Sequence, residues 1–223
     1  HLLSARSIAV LADVGANEGQ YALRLRALGY EGPIVSFEPS PEAVSVLRHR
    51  AAADGRWVVN EAAIGAGHGR KSLHVSGNSV SSSLLEMTDR HLAAEPAAAY
   101  VATIDVDLQP LDAFCERLAG PLWLKIDVQG AERAVLAGAE RVLRHTEVIQ
   151  AELSLVEVYH GAPTALELVS ELSARGFDLV DIERGFADGG TGALLQADGL
   201  FLRREADVTP HPHQGDFQRG PAL

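Results

Sequence analysis

Short apolar runs recur along the chain, and stretches with helical spacing separate them. Residues 7–12 read as a buried parallel strand, apolar on both faces. Tyr21, Leu25 and Leu28 then share one helical face over residues 20–28, and Gly29 is placed to close that helix. Residues 34–38 form a second strand that ends in Glu38. Ser40, Pro41 and Glu42 open the next helix with a hydroxyl, a proline and an acid, the order a helix start favours. Val44, Leu47 and Ala51 give its inner stripe, and residues 57–60 form a third short strand.

The middle is less regular. Residues 71–76 fit one strand of a hairpin, 77–85 a polar loop, 87–99 a partly helical stretch, 100–108 a strand and 110–118 a helix. Order returns at 122–128, a strand with WLKID at its centre. Residues 131–144 carry the strongest helical pattern, with Val135, Ala139, Val142 and Leu143 inward. A strand at 147–153, a helix at 164–174 closed by Gly176, and strands at 177–182 and 199–202 follow. The last two have no helix between them and are expected to pair antiparallel. Strands alternating with helices imply a parallel sheet with right-handed crossovers. Ligands of such sheets bind beyond the carboxyl ends of the strands. Asp13, Glu38 and Asp127 all stand at such ends.

Composition narrows the class. The chain has 223 residues, 47% hydrophobic and 22% charged. One α/β domain over residues 1–205 accounts for it, followed by a polar tail, 206–223, predicted to be disordered. His211 and His213 read as solvated residues of that tail. No run reaches the roughly 20 apolar residues of a spanning helix, and the opening residues lack the pattern of a signal peptide. The abrupt start fits a domain of a longer protein. Cys115, the single cysteine, is expected in a buried helical position. Together these features predict a cytoplasmic setting with no membrane partner. The net charge of −11, from 30 acidic and 19 basic residues, disfavours phosphate backbones, so nucleic acid is not an expected partner. Oligomeric state is not encoded in these patterns.

The turn after the first strand, DVGANEG, carries the first chemistry. Gly15 and Gly19 let backbone approach a ligand, and a helix start supplies N–H groups. Dinucleotide sites use G-x-G-x-x-G beneath a pyrophosphate. Here Asn17 replaces the second glycine, Gly19 comes one residue early, and Glu18 would oppose a pyrophosphate. S-adenosylmethionine (SAM) has no phosphate. Asp13 suits its cationic end, and the turn's N–H groups suit its carboxylate. Glu38, 23 positions after Gly15, suits ribose hydroxyls under either reading.

The chain resembles the FkbM-type SAM-dependent methyltransferases. The resemblance is carried by DVGANEG (13–19), FEPSP (37–41), EAAIG (61–65), SSSLL (81–85), LKIDVQGAE (124–132), VLAGA (135–139) and AEL (151–153). It implies an α/β, Rossmann-like class I methyltransferase fold: a seven-stranded, mostly parallel sheet with an antiparallel last strand and helices on both faces. It also implies methyl transfer from SAM, usually to a hydroxyl of a sugar or other small metabolite. Carried over by position, the cofactor contacts would be Asp13, Gly15, Asn17, Gly19, Glu38, Pro39, Ser40, Ala62 and Ser82. The chain departs from the family in the helix after FEP, where it reads RHRAAADG.

Transfer to a hydroxyl requires alignment and removal of one proton. Asp127 is the leading candidate for that role, with Lys125 two residues earlier on the same strand face to keep it ionised. Glu152 ends the next strand, and Asp127 with Glu152 is a candidate Mg²⁺ site. His160 is a second candidate base, Tyr159 and Glu157 are candidate pocket walls, and Asp198 is placed to reach the site. His74 and His91 read as structural or surface residues. The expected partner is a small-molecule hydroxyl acceptor, free or carrier-bound. An NAD-type oxidoreductase is the alternative enzyme, and a catalytically degenerate SAM-binding interaction module is the non-enzymatic one.

Overall fold

The structure, a computed structural model, describes residues 6–205. The expected tail, with His211 and His213, lies outside the described residues. Strand β1 (Val10–Val14) is buried throughout, and its side chains alternate between two cores. Leu11 packs with Ala22, Leu25, Ile34 and Leu47, while Val10, Ala12 and Val14 pack with Phe37, Leu124, Val135 and Phe201. Two buried faces require helices on both sides of the sheet.

The chain continues through α1 (Gln20–Ala27), β2 (Ile34–Phe37), α2 (Pro41–Ala51), β3 (Trp57–Asn60), β4 (Ala63–Ile64), β5 (Gly69–Ser76), α3 (Asp89–Ala94), β6 (Tyr100–Gln109), β7 (Leu122–Ile126), α4 (Glu132–Ala137), β8 (Thr146–Ser154), α5 (Ala165–Ala174), β9 (Phe177–Arg184) and β10 (Gln196–Arg203). The main sheet has seven strands in the order β3-β2-β1-β7-β8-β10-β9. The pairs from β3 to β8 are parallel, and β10 runs antiparallel to both β8 and β9. This is the Rossmann-like class I methyltransferase arrangement with one reversed strand.

Local chemistry sets the ends of the elements. Gly29, at φ 90°, closes α1, with Gly29 N–H bonding Arg26 O and Tyr30 N–H bonding Leu25 O. Thr164 and Glu167 form a reciprocal capping box at the start of α5. Ser40 stands at the N-cap of α2, but its hydroxyl caps nothing. Its backbone N–H is turned to Glu38 instead.

Two expected helices are broken. Residues 131–144 yield only α4, because Gly138 presses on Gly65: a Cβ there would lie 2.0 Å from the Gly65 carbonyl oxygen. The chain turns at that contact and restarts as a 3-10 turn, Val142–His145. Residues 110–118 give only a 3-10 turn, Leu111–Phe114. Asp112 N–H bonds Gly138 O, and the Asp112 carboxylate accepts from the N–H groups of Arg141 and Val142. Those cross-links replace helical ones. Cys115 is half-buried beside them rather than buried in a helix.

The hairpin of β5 and β6 forms, with β4, a separate three-stranded sheet in the order β4-β6-β5. It stands over the carboxyl ends of β1 and β2 and carries the loop 77–85. Among the described residues, no helix is long and apolar enough to cross a membrane.

Candidate active site

A cavity of about 430 Å³ lies at the carboxyl ends of the central strands. Its floor is the turn after β1. Gly15 has φ 73° and lies against β7, so that a Cβ would sit 1.8 Å from the Asp127 carbonyl oxygen. Gly19, at φ 87°, is hemmed in by Leu47 and Trp57. Helix packing, not ligand approach, is therefore what Gly19 serves, and it does not line the cavity.

Four amides of the turn are already used. Gly15 N–H and Ala16 N–H both donate to Phe37 O, Gly19 N–H donates to Ala16 O, and Asn17 N–H donates to Glu38 Oε2 at 2.8 Å. These four are not free for a cofactor carboxylate, whereas among the described residues nothing accepts from Glu18 N–H or from Gln20 N–H at the helix start. Glu18 is also turned away, onto Arg50 at 2.9 Å. It does not face the cavity as expected.

Glu38 is held at both oxygens, the second by Ser40 N–H at 2.9 Å. It is 8% exposed. Burial pushes its carboxyl up to about 7, against the two N–H bonds that pull it down. Asn17 Nδ2 donates to Ser79 O at 3.2 Å and ties the floor to the roof loop. Asn17 Oδ1 is buried with no partner. Glu38, Pro39, Ala62, Gly15, Asn17 and Ser82 all line the cavity, whereas Asp13 and Ser40 do not.

Asp13 is fully buried, not on the rim. It pairs in register with Lys125 on the α1 face of the sheet, with Lys125 Nζ 3.3 Å from Asp13 Oδ1. Burial raises the Asp13 carboxyl, and Lys125 opposes that rise. Burial pushes the Lys125 ammonium down, but Asp127 and Asp13 outweigh it and hold it well above the usual lysine range. Lys125 Nζ donates to Gly15 O at 2.7 Å and lies 3.4 Å from Asp127 Oδ2. The lysine therefore links the turn, the buried acid and the rim acid.

Asp127 lines the cavity with over a third of its side chain exposed. Gln129 Nε2 donates to Asp127 Oδ1 at 2.7 Å and to Glu152 Oε2 at 3.1 Å. Gln129 Oε1 accepts from the Tyr159 hydroxyl at 2.6 Å, which fixes which end of the amide faces the acids. An amide NH₂ between the two carboxylates takes the position a cation would need. Asp127 and Glu152 thus do not fit the expected Mg²⁺ site. Among the described residues, no group of three or more His, Cys, Asp or Glu is placed to hold a metal. Burial drives the Glu152 carboxyl well above its usual range, and Asp127, Glu132 and Asp198 add to it. Asp198 also lines the cavity, its carboxyl pushed up to about 6 by burial and by Asp127.

His160 is exposed and lines neither this cavity nor the chamber behind it. The bridge between Met87 and Tyr159 turns Tyr159 inward, so the next side chain faces out. Tyr159 is buried against Gln129, while Glu157 accepts from Gly161 N–H at the surface. Residue-type reasoning missed Gln129, whose φ of 56° beside Gly130 at φ 100° forms a left-handed pair. The signal was the QG pair inside LKIDVQGAE. It also missed Tyr21 and Gln150, joined hydroxyl to amide oxygen at 2.7 Å on the cavity wall.

Comparison with known proteins agrees with this architecture. The chain is 30% identical over 162 residues to the 2-O-methyltransferase NoeI of Sinorhizobium fredii (strain NBRC 101917 / NGR234), covering 68% of this chain and 66% of NoeI. Its fold is similar to that of the methyltransferase FkbM from Methylobacillus flagellatus KT, with a TM-score of 0.55 and 16% identity, over 86% of this chain and 43% of that one. The chain therefore spans just under two thirds of the curated relative and less than half of the structural one. The FkbM methyltransferase domain matches residues 13–179, and the chain belongs to that family.

Proposed function

We propose that the chain binds SAM in the cavity above Gly15 and transfers its methyl group to a hydroxyl of a small acceptor, free or carrier-bound. The observation that carries this reading is the Glu38 carboxylate, clamped by Asn17 N–H and Ser40 N–H above a turn four of whose amides are already bonded. Each clamped oxygen keeps a lone pair for a ribose hydroxyl. A dinucleotide would also call on the N–H groups of Gly15, Ala16 and Asn17 at its phosphates, and those three serve Phe37 and Glu38 instead. The buried, unpartnered Asn17 Oδ1 adds an acceptor suited to a cofactor N–H or hydroxyl. That the similar protein NoeI is a 2-O-methyltransferase supports a hydroxyl as the acceptor.

When bound, SAM supplies a methyl already activated on a sulfonium. The protein's part is to align the acceptor, exclude water and receive one proton. Asp127 would receive it, at the cavity wall with Lys125 Nζ 3.4 Å from its Oδ2. Lys125 holds Asp127 toward the turn, and Gln129 fixes the orientation of its carboxylate. Calorimetric titration tests the reading. S-adenosylhomocysteine, the demethylated product, should bind with micromolar or tighter affinity, and NAD should give no heat. Binding of NAD without binding of S-adenosylhomocysteine would overturn it.

A further inference from the structure

The cavity above Gly15 is lined by five charged side chains, Arg24, Glu38, Lys125, Asp127 and Asp198. Three of them are engaged. Glu38 is clamped by Asn17 N–H and Ser40 N–H. Lys125 directs its ammonium to Gly15 O, Asp13 Oδ1 and Asp127 Oδ2. Asp127 takes that ammonium and the Gln129 amide. One cation and one anion remain. The Arg24 guanidinium has a single partner among the described residues, Glu183 of β9 at 3.6 Å, and both side chains are more than half exposed. No described residue donates a hydrogen bond to the Asp198 carboxylate.

These two groups share one corner. Asp198 and Glu183 are cross-strand partners on β10 and β9, and Arg24 reaches Glu183 from α1. Burial and Asp127 raise the Asp198 carboxyl, while Lys125 and Arg24 pull it down. Gln150 of β8 lines the same wall. Its Oε1 accepts from the Tyr21 hydroxyl at 2.7 Å, which fixes the amide's orientation, and among the described residues nothing accepts from its Nε2. A smaller opening of about 180 Å³ joins the cavity at Tyr21, Arg24, Gln150 and Asp198. Gln20, whose N–H is free at the start of α1, lines the cavity one turn before Arg24 on the same helix face.

We propose that this corner holds the zwitterionic amino-acid end of the cofactor: Arg24 leaves Glu183 to bind its carboxylate, Gln150 Nε2 donates to the same group, and Asp198 accepts from its ammonium. The proposal rests on the methyl-transfer reading above, and it assigns the end of the cofactor that neither Asp13 nor the four bonded amides can hold. A zwitterion needs a cation and an anion side by side, each without a competing buried partner, since burying an unpaired charge is costly. An exposed ion pair such as Arg24 with Glu183 contributes little, so Arg24 exchanges it readily for a carboxylate that a guanidinium meets with two parallel N–H bonds. Lys125 cannot make that exchange without abandoning the buried Asp13. The exchange also links cofactor occupancy to β9, the edge strand of the main sheet, because Glu183 loses its partner when the site fills.

Calorimetric titration with three ligands tests the assignment. They are S-adenosylhomocysteine, the amine left when it loses its carboxylate, and 5′-methylthioadenosine, which lacks the amino-acid end altogether. Arg24→Gln should weaken S-adenosylhomocysteine about tenfold, the scale of a hydrogen bond between charged groups, and leave the other two within about twofold. Asp198→Asn should weaken S-adenosylhomocysteine and the amine alike and leave 5′-methylthioadenosine in place. Glu183→Gln should tighten S-adenosylhomocysteine about threefold by removing the competitor, with no change for the amine. Circular dichroism checks that each variant is folded, and if Asp198→Asn is not, the Arg24 and Glu183 variants decide. An unchanged affinity for S-adenosylhomocysteine in Arg24→Gln, or an equal loss for 5′-methylthioadenosine, overturns the subsite. No tightening in Glu183→Gln overturns the exchange. Failure of the unaltered protein to bind either S-adenosylhomocysteine or 5′-methylthioadenosine would instead remove the methyl-transfer reading on which the proposal rests.

Discussion

On the Glu38 side, the cavity is held by backbone atoms. Two N–H groups fix the carboxylate, two more fix the turn to Phe37, and Gly15 lies flat against the Asp127 carbonyl. On the Asp127 side, side chains do the holding. Lys125, Gln129, Tyr159 and Gln196 reach in from β7, the loop after it, the loop after β8, and β10. A backbone-built wall depends on a few steric positions and tolerates many side chains elsewhere. A side-chain network fails piecewise, one hydrogen bond at a time.

The largest effect separating the two walls should come from Gly15→Ala. Its Cβ would collide with a backbone oxygen at 1.8 Å, at a φ that disfavours any side chain. Loss of more than about 4 kcal/mol of stability is expected, enough to unfold a marginal domain, and thermal unfolding measures it. Next comes Gln129→Asn, which keeps a residue tolerant of the left-handed conformation but too short to join Asp127 and Glu152. Turnover should fall about 10²-fold through misalignment, while affinity for S-adenosylhomocysteine stays within about threefold. An equal loss of both would erase the distinction between the walls. Glu38→Gln should do the reverse, weakening S-adenosylhomocysteine by about tenfold, the scale of a charge-assisted hydrogen bond.

The smallest effect is a pH dependence of the ligand-free protein. Burial first of all raises Glu38 and Glu132 to about 7 and Asp198 to about 6. In the unfolded chain these groups ionise near the ordinary carboxyl values of 4.5 and 3.8. Their contribution is thus fully present below those values and lost as pH rises through 6 to 7. Melting temperature should therefore be lower at pH 7.5 than at pH 5. A rise across that window would show that these acids are not buried as described.

The main sheet was legible because its central strands β1, β2 and β7 are buried on both faces and read as apolar runs, and because Gly29, Thr164 and Gly176 mark helix ends. The separate small sheet was not legible, since β5 and β6 are largely exposed and alternate only weakly. The break in residues 131–144 depends on a contact with Gly65, distant in sequence, which no local pattern records. In the site, Glu38 and Asp127 were placed by their positions at strand ends. Asp13 was misplaced because a strand-end position does not say whether a lysine covers the acid. Gln129 was passed over because its importance lies in partners from other segments.

The contact between Gly65 and Gly138 fixes more than a helix break. Gly65 N–H bonds Gln109 O at 3.0 Å, and β4 lies in register with Leu108 and Gln109. The excursion from 65 to 109 thus leaves and re-enters the domain at one doorway, with backbone hydrogen bonds on both jambs. Beyond that doorway the roof is moored again at separate points: Ser79 O accepts from Asn17 Nδ2, Ser81 O accepts from the Tyr159 hydroxyl, and Ser83 Oγ and Thr88 Oγ1 donate to Gln129 O and Val158 O. A roof exchanged at the doorway would have to remake those moorings to keep its cover over the cavity.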